Sequence, residues 1–539
     1  MEYLIVCLTG LALYAKSLFF DLTYLDDNVL ILDNFYFIKN LGNIGAAFSR
    51  DAFLNTVNTA YYRPLLTISF IINSQFSGVA PGGYHLGNIL LHLGAACLLY
   101  YFFKKLKYSP HLSLFLTLLF TVHPILAQAV AWIPGRNDSL LAIFVLASFI
   151  FLINFWENYQ KKDLLYHLFF FFLALLSKES ALIIPVIALL YLYLIKGEKQ
   201  IIKKQKDLIF SWLGILTCYF FLRHWGLKNP INYGLGEMII SAFKNLPALV
   251  QFLGKIFFPF NLTVLPTLAD TTFVYGIIAA AILILMIIFA KNKRLGPIIF
   301  GFIWFLLFLV PNFVRPDPTA IADFCEHRAY IPLIGILIIL AEINPLKKFS
   351  FKNKTCLWGG ITLLLFFSLI NFSHQDKFKN RLVFWQEAAA SSPSHPLAHR
   401  NLGAIYILEG QPEKAEEELE KALLLNPTEP MVHNNLGVIY LEKKMFDQAI
   451  LEFQKELELY PFYDQAYFNL GVAYYHQKKL DEAEKAWLKT LEINPNYLQA
   501  YQNLAALYQE KNEPQKSQLY LNLLQQETGV FSPPNLPLQ

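Results

Sequence analysis

"NLGVIYLEKKMFDQAILEFQKELELYP", residues 435–461, reads as two helices joined by a short polar stretch and closed by a proline. The same plan recurs at a fixed distance on both sides. "NLG" begins at Asn401, Asn435 and Asn469 and "NLA" at Asn503, each 34 residues after the last. Prolines keep that period at Pro393, Pro427, Pro461 and Pro495, and so do the small residues Ala415, Ala449 and Ala483, in "EKAEEELEKAL", "DQAILEFQKEL" and "DEAEKAWLKTL". A small residue at a fixed helical position is where two helices must approach closely.

A helix–turn–helix unit of 34 residues with this pattern resembles the tetratricopeptide repeat, in which stacked units bury a core that one unit cannot bury alone. Repeats are expected near 399–432, 433–466, 467–500 and 501–526, preceded by an opening helix in "RLVFWQEAAASSP" (381–393). Such a stack presents a concave surface suited to a protein acceptor or partner.

Upstream of the repeats the composition changes. The 539 residues are 55% hydrophobic and only 16% charged, against roughly a quarter charged in a soluble domain. Residues 374–539 hold 15 Lys+Arg and 22 Asp+Glu of chain totals of 44 and 40, so an acidic domain of −7 follows a basic one of +11. The fold class expected is therefore all-α, a polytopic membrane body over 1–373 followed by a repeat solenoid over 374–539. The five cysteines (Cys7, Cys97, Cys218, Cys325, Cys356) have no metal-ligand spacing. "GLGEM" at 234–238 follows no strand, which argues against a nucleotide-binding loop. The first apolar segment lacks a basic leader and a small-residue cleavage site and reads as a retained span.

About eleven spanning helices are expected, near 3–20, 84–103, 111–124, 138–156, 164–177, 180–195, 207–224, 271–290, 295–311, 328–342 and 355–373, with 238–260 re-entering or lying along the interface. Short basic loops at 104–107, 161–162, 196–206, 291–294 and 347–354 are expected to be cytoplasmic. The N-terminus is then cytoplasmic, and the loops at 21–83, 124–137, 177–180, 225–270 and 312–327, with the repeats, lie on the other side. A bacterial inner membrane with periplasmic repeats suits the cysteine-free repeat domain, and an endoplasmic reticulum membrane is the alternative.

On this topology the ionisable residues collect on the non-cytoplasmic face, in "LDDN" (25–28), "YYRPLL" (61–66), "GYHLGNILLH" (83–92), "HPILAQAVAWIPGRNDSL" (123–140), "LSKES" (176–180) and "FCEHRAY" (324–330). Charges close to hydrocarbon cost about 2.5–3.5 kcal/mol each on insertion scales, so several at one rim point to a shared site. Asp26 or Asp27 could take a proton from an acceptor hydroxyl, and Arg63, Arg136, Lys178 and Arg328 could hold a departing phosphate, Arg through its planar fork. One base without a second carboxylate implies single displacement with inversion; Glu179 or Glu326 beside the aspartates would change that. His85, His92 and His123 read as satisfied buried histidines or phosphate contacts rather than metal ligands. The bland alternatives are that Asp26 and Asp27 cap a turn, that Arg136 pairs with Asp138, and that Lys178 pairs with Glu179.

The succession "YLDDN", "YYRPLL", "GYHLGNILLH", "HPILAQAVAWIPGRND", "LSKES", "EHRAYIPLIG", then "RLVFWQ" and the repeats, resembles the transmembrane and tetratricopeptide-repeat-containing O-mannosyltransferases and their prokaryotic relatives, membrane glycosyltransferases of the GT-C fold. The resemblance implies an enzyme that moves a sugar from a polyprenyl-phosphate donor to an acceptor, a protein hydroxyl or an envelope polymer, outside the cytoplasm, without metal or other cofactor and without nucleic acid. It places the acidic pair of the family on Asp26 and Asp27, with Asp26 favoured as base. Arg63, His85, His123, Arg136, Asp138, Lys178, Glu179, Glu326 and Arg328 are the expected donor- or substrate-binding set. Two other functions fit the same chain: a ligase or polymerase of whole lipid-linked glycans, and a non-enzymatic membrane-anchored scaffold.

Overall fold

The structure, a computed structural model, describes residues 1–54, 61–198, 206–228, 230, 234–314, 321–344 and 346–530. Among the described residues the regular elements are helices, and the chain divides into two compact units, Met1–Ser392 and Pro393–Gln539.

The first unit begins with α1 (Glu2–Tyr14), continued as a tighter turn to Phe19. After an acid-bearing segment of short helical turns, Asn28–Asp33, Phe35–Ile38, Leu41–Ile44 and Ala46–Ser49, come α2 (Pro64–Ser77), α3 (Pro81–Lys105), α4 (Pro110–Val122) and the short α5 (Ala127–Ala131). Then follow α6 (Arg136–Asn158), α7 (Lys161–Ser177), α8 (Ile184–Leu194), α9 (Lys206–Gly226), α10 (Leu235–Asn245), α11 (Ala248–Phe257), α12 (Val274–Phe289), α13 (Leu295–Leu309), α14 (Pro332–Ala341), α15 (Lys354–Gln375) and α16 (Arg381–Ser391). Local chemistry sets many of the starts. Proline opens α2, α3, α4 and α14, where its fixed φ suits the first turn and its missing N–H is not needed. Ser109, Asn353 and Asn380 cap α4, α15 and α16 with side-chain oxygens.

Each of the eleven expected segments is helical. Length and composition, however, leave six stretches among the described residues able to cross a bilayer: Glu2–Phe19, Pro81–Lys105, Ile133–Asn158, Lys206–Gly226, Leu295–Phe313 and Lys354–Phe378. The pair Pro110–Val122 and Pro124–Ala131, bent by 51°, makes a seventh if counted as one span. α14 has 10 residues, about 15 Å of helix against a hydrocarbon core of about 30 Å, and it is buried along nearly its whole length. The expected eleven crossings thus become six or seven candidate spans with shorter apolar helices packed among them. The stretch 238–260 forms α10 and α11, 11 and 10 residues long, each too short to cross. Most of the basic stretch 196–206 lies outside the described residues.

Glycine sets the closest crossings. A Cβ on Gly301 of α13 would lie 2.5 Å from the Gly335 carbonyl oxygen, and one on Gly335 of α14 would lie 2.3 Å from that of Gly301. The two backbones meet with no side chain between them.

The second unit is four helix pairs: α17 (Pro396–Leu408) with α18 (Pro412–Leu425), α19 (Val432–Glu442) with α20 (Phe446–Leu459), α21 (Asp464–His476) with α22 (Leu480–Ile493), and α23 (Leu498–Glu510) with α24 (Pro514–Val530). Ala415, Ala449 and Ala483 are fully buried. Gly403, Gly437 and Gly471 sit directly against Leu419, Phe453 and Trp487, again 34 residues apart, so each glycine seats the large side chain of its partner helix. Between repeats, Glu416 accepts from Tyr440 and Lys443, and Glu484 accepts from Tyr508 and Lys511.

Candidate active site

In the segment after α1 the two adjacent acids have separate fates. Asp27 is buried and its carboxylate closes the turn: Oδ2 accepts from the Thr23 amide at 2.7 Å and hydroxyl at 2.9 Å, and Oδ1 from the Tyr24 and Asn28 amides at 2.8 and 3.0 Å. It also caps the wide helical turn Asn28–Asp33. Closing so tight a loop puts Tyr24 and Asp26 at φ +60° and +69°, a left-handed conformation that costs a residue with a Cβ about 1–3 kcal/mol. The Asp26 carboxylate makes no hydrogen bond among the described residues. Burial pushes it up to about 6, the nearby Asp323 adds to that, and Arg63 and Arg328 oppose it. For Asp27, too, burial raises the carboxyl, against the hydrogen bonds from Thr23 and Tyr24. The indole N–H of Trp132 donates to the Leu25 carbonyl at 3.0 Å and pins the loop from the α6 side.

Three of the expected cations belong to this site, each already matched with a carboxylate. Arg63, just before α2, donates from Nε and Nη2 to Glu179 Oε2 at 3.2 and 3.0 Å, with its guanidinium over the Tyr61 ring; its Nη1 has no hydrogen bond among the described residues. Lys178 Nζ lies 2.7 Å from Asp138 Oδ1, both side chains buried. Arg328 binds Asp323 at 2.6 Å. Burial pushes the Lys178 ammonium down, Asp138 holds it up, and the charges of Arg63 and Arg328 reach it. Asp26, Arg63, Asp138, Lys178, Glu179 and Arg328 are therefore one electrostatic cluster.

Local geometry explains why the neighbour pairings do not form. Lys178 is extended, φ −160° and ψ 141°, so it and Glu179 point to opposite sides, one to Asp138 and the other to Arg63. Arg136 and Asp138 are two residues apart on α6 and so face apart.

The other expected residues lie outside the cluster. Arg136 is fully buried and spends its donors on Asn88 Oδ1 (2.9 Å), Asn73 Oδ1 (2.6 Å) and the Tyr84 carbonyl (2.8 Å), with Phe70 beneath it. His123 donates from Nε2 to the Ile256 carbonyl and accepts at Nδ1 from the Ile125 amide. His92 meets the Tyr330 hydroxyl and the Thr121 carbonyl. His85 is buried edge-on to Phe20, and neither ring nitrogen has a partner among the described residues. Glu326 accepts from Lys255, the Thr263 amide and His374 at 2.8, 2.7 and 2.9 Å. Burial pushes its carboxyl up, but Lys255 and His374 outweigh that and hold it at about 2.

Several members of the cluster were not singled out from the sequence. Asp323 is the additional carboxylate near Asp26. His327 packs on Trp132 at 5.2 Å, its Nε2 is 3.9 Å from Asp138 Oδ2, and its amide donates to Gln128. The available signal was position, since His327 lies between Glu326 and Arg328 in "EHR" and Trp132 lies just before "IPGRND". Among the described residues no three His, Cys, Asp or Glu are gathered closely enough to hold a metal ion.

Residues 74–225 match the family described as dolichyl-phosphate-mannose-protein mannosyltransferase, and four tetratricopeptide repeats match at 396–429, 432–463, 465–497 and 486–519. A protein O-mannosyl-transferase of Caenorhabditis elegans is 26% identical over 404 residues, 70% of this chain and 56% of the worm protein. The protein O-mannosyl-transferase TMTC4 of Homo sapiens is 32% identical over 187 residues, 30% of this chain and 25% of the human one. The chain thus spans about half or less of the length of these relatives. The crystal structure of MamA aligns with 30% of this chain and 91% of its own at 23% identity and a TM-score of 0.26. The chain is thus distantly similar to the TMTC-type protein O-mannosyl-transferases, a segment that matches the mannosyltransferase family being followed by tetratricopeptide repeats.

Proposed function

We propose that the chain is an integral-membrane glycosyltransferase that moves one sugar, mannose being the first to test, from a polyprenyl-phosphate donor to a hydroxyl of a protein acceptor on the non-cytoplasmic face. The observation that carries this reading is the Asp26 carboxylate, half-buried, without a hydrogen bond among the described residues and within the field of Arg63 and Arg328, while its neighbour Asp27 is consumed by the turn.

Asp26 accepts the proton of the acceptor hydroxyl as that oxygen attacks the anomeric carbon. The bond from that carbon to the phosphate oxygen breaks, and the lipid phosphate leaves with the electron pair, giving the inverted glycoside. Arg63, whose Nη1 has no hydrogen bond among the described residues, and Arg328 offset the charge that develops on the phosphate. Lys178 is sequestered by Asp138 and acts through the field it adds. Glu179 and Glu326 are held by their own cations, which supports single displacement. Asp323 is bound to Arg328 and is assigned to holding that guanidinium. The donor's lipid tail keeps the substrate at the bilayer, each buried methylene adding about 0.8 kcal/mol, so the protein has only phosphate and sugar to recognise. The repeats are assigned to acceptor binding.

The test is transfer of labelled sugar from defined polyprenyl-phosphate donors in membranes carrying wild type or Asp26→Asn at matched levels. Transfer by wild type and its loss in the variant is the expected result. Equal transfer by both removes Asp26 from the chemistry, and no transfer from any donor removes the reading.

A further inference from the structure

Asp26 is held in place by what is done to its neighbours. On its N-terminal side the Leu25 carbonyl is fixed by Trp132. On its C-terminal side the Asp27 carboxylate gathers the Thr23, Tyr24 and Asn28 amides. Those contacts fix backbone, yet Tyr24 at φ +60° is itself strained. Its ring lies beneath the Arg381 guanidinium, 5.1 Å from carbon to ring centroid.

Arg381 is the first residue of α16, which follows the last apolar helix and precedes the repeats. Its place is well defined. Asn380 caps α16 by accepting from the Val383 amide at 2.9 Å, and the Asp21 amide donates to the Lys379 carbonyl at 2.8 Å, tying the start of α16 to the start of the acid loop. At the other end Ser392 Oγ donates to the Leu265 carbonyl at 2.6 Å. In between, Lys377 binds Glu387 at 2.9 Å and reaches the Leu262 carbonyl at 3.3 Å. Thus α16 is anchored at both ends to loops of the first unit.

We propose that Arg381 is a positioning residue for Asp26: from α16 it clamps Tyr24, and so keeps the left-handed turn that aims the free carboxylate. This rests on the reading of Asp26 as base. Residues in left-handed backbone persist only where their surroundings over-determine them, and a reacting group misplaced by about 1 Å can lose about 100-fold in rate. Without the clamp the turn relaxes, and the carboxylate stays in the site but off its line.

The experiment pairs hydrogen exchange with kinetics on full-length protein carrying Arg381→Ala, Arg381→Lys, Tyr24→Leu or both Arg381→Ala and Tyr24→Leu. Arg381→Ala is expected to raise exchange of the Thr23, Tyr24 and Asn28 amides about 5- to 30-fold, the range of a partly desolvated cation–ring contact, with α3 and α6 unchanged. It is expected to lower kcat while KM for the donor holds. Arg381→Lys, which keeps a cation over the ring, recovers most of both effects, and the double variant is no worse than the worse single one. Unchanged exchange in the acid loop, or exchange raised throughout the first unit, overturns the inference. Because exchange needs no turnover, wild-type protein that transfers nothing would sink the glycosyltransferase reading while the exchange result still judged the clamp.

Discussion

At the scale of single residues, Asp26 and Asp27 invite opposite substitutions. Asp26→Asn keeps the size of the side chain and loses no hydrogen bond among the described residues, so the loop should persist while the base is gone. A fall in kcat of about 100-fold or more is expected, with the melting temperature held or raised. Asp27→Asn turns one of two saturated oxygens into an amide nitrogen that faces donors. Leaving two buried donors unmet costs about 2–5 kcal/mol, so this variant should melt earlier and exchange faster at Thr23 and Tyr24. Thermal scans beside transfer assays separate the two cases; a destabilised Asp26→Asn would show that the first acid, too, is structural. The pH profile follows from the same asymmetry. A base held near 6 must be ionised to work, so kcat/KM should fall about tenfold per unit below that pH and level off above it, and a profile flat down to pH 5 would exclude Asp26 as base. The stability sign runs the other way. The folded value lies above the ordinary value of about 4, so Asp26 binds its proton more tightly in the folded state. Its contribution therefore rises as pH falls from 7 towards 4 and is lost as pH climbs through 6. The difference between wild type and Asp26→Asn should shrink over that window.

At the scale of elements, the contact between α13 and α14 leaves no room for a side chain. Gly301 and Gly335 touch backbone to backbone, and a Cβ on Gly335 would also lie 2.8 Å from the Phe305 amide nitrogen. Gly335→Val would have to push two closely packed helices apart, at about 1–3 kcal/mol or more. A drop in melting temperature or in folded yield from detergent is expected, and wild-type stability in that variant would mean the crossing is looser than drawn. This scale also shows what was legible in the sequence. Each apolar run announced its helix, because a chain in or near a bilayer must satisfy its backbone within the helix. The number of crossings was less legible, since α14 reads as a span by composition while its 10 residues are buried among other helices. The repeats were plain because 34-residue self-similarity is itself the structural unit. The site's partners were not. Lys178 finds Asp138 forty positions away and Arg63 finds Glu179 at 116, and which of two adjacent acids closes a turn is set by the dihedrals of Tyr24 and Asp26. Arg136 stood in a polar motif, yet its donors are taken up within the body, and nothing in "GRND" tells that α3 supplies Asn88 and Tyr84 to them.

At the scale of the whole molecule, the division at Ser392 separates the chemistry assigned to the first unit from the acceptor binding assigned to the repeats. The two roles can then be broken one at a time. In a solenoid each repeat leans only on its neighbours, so removing one large side chain from between two helices weakens the array as a whole. Trp487 is the choice, since it is buried, seated on Gly471, and donates its indole N–H to the Phe468 carbonyl at 3.1 Å. Trp487→Ala should cost the second unit about 3–5 kcal/mol and expose it to protease, while the melting of the first unit stays put. If the repeats hold the acceptor, transfer to a folded protein acceptor falls severalfold, whereas transfer to a short hydroxyl-bearing peptide added in excess does not. Equal loss with both acceptors would mean that the first unit depends on the repeats for its own fold, and no loss with either would leave the repeats without a part in acceptor binding.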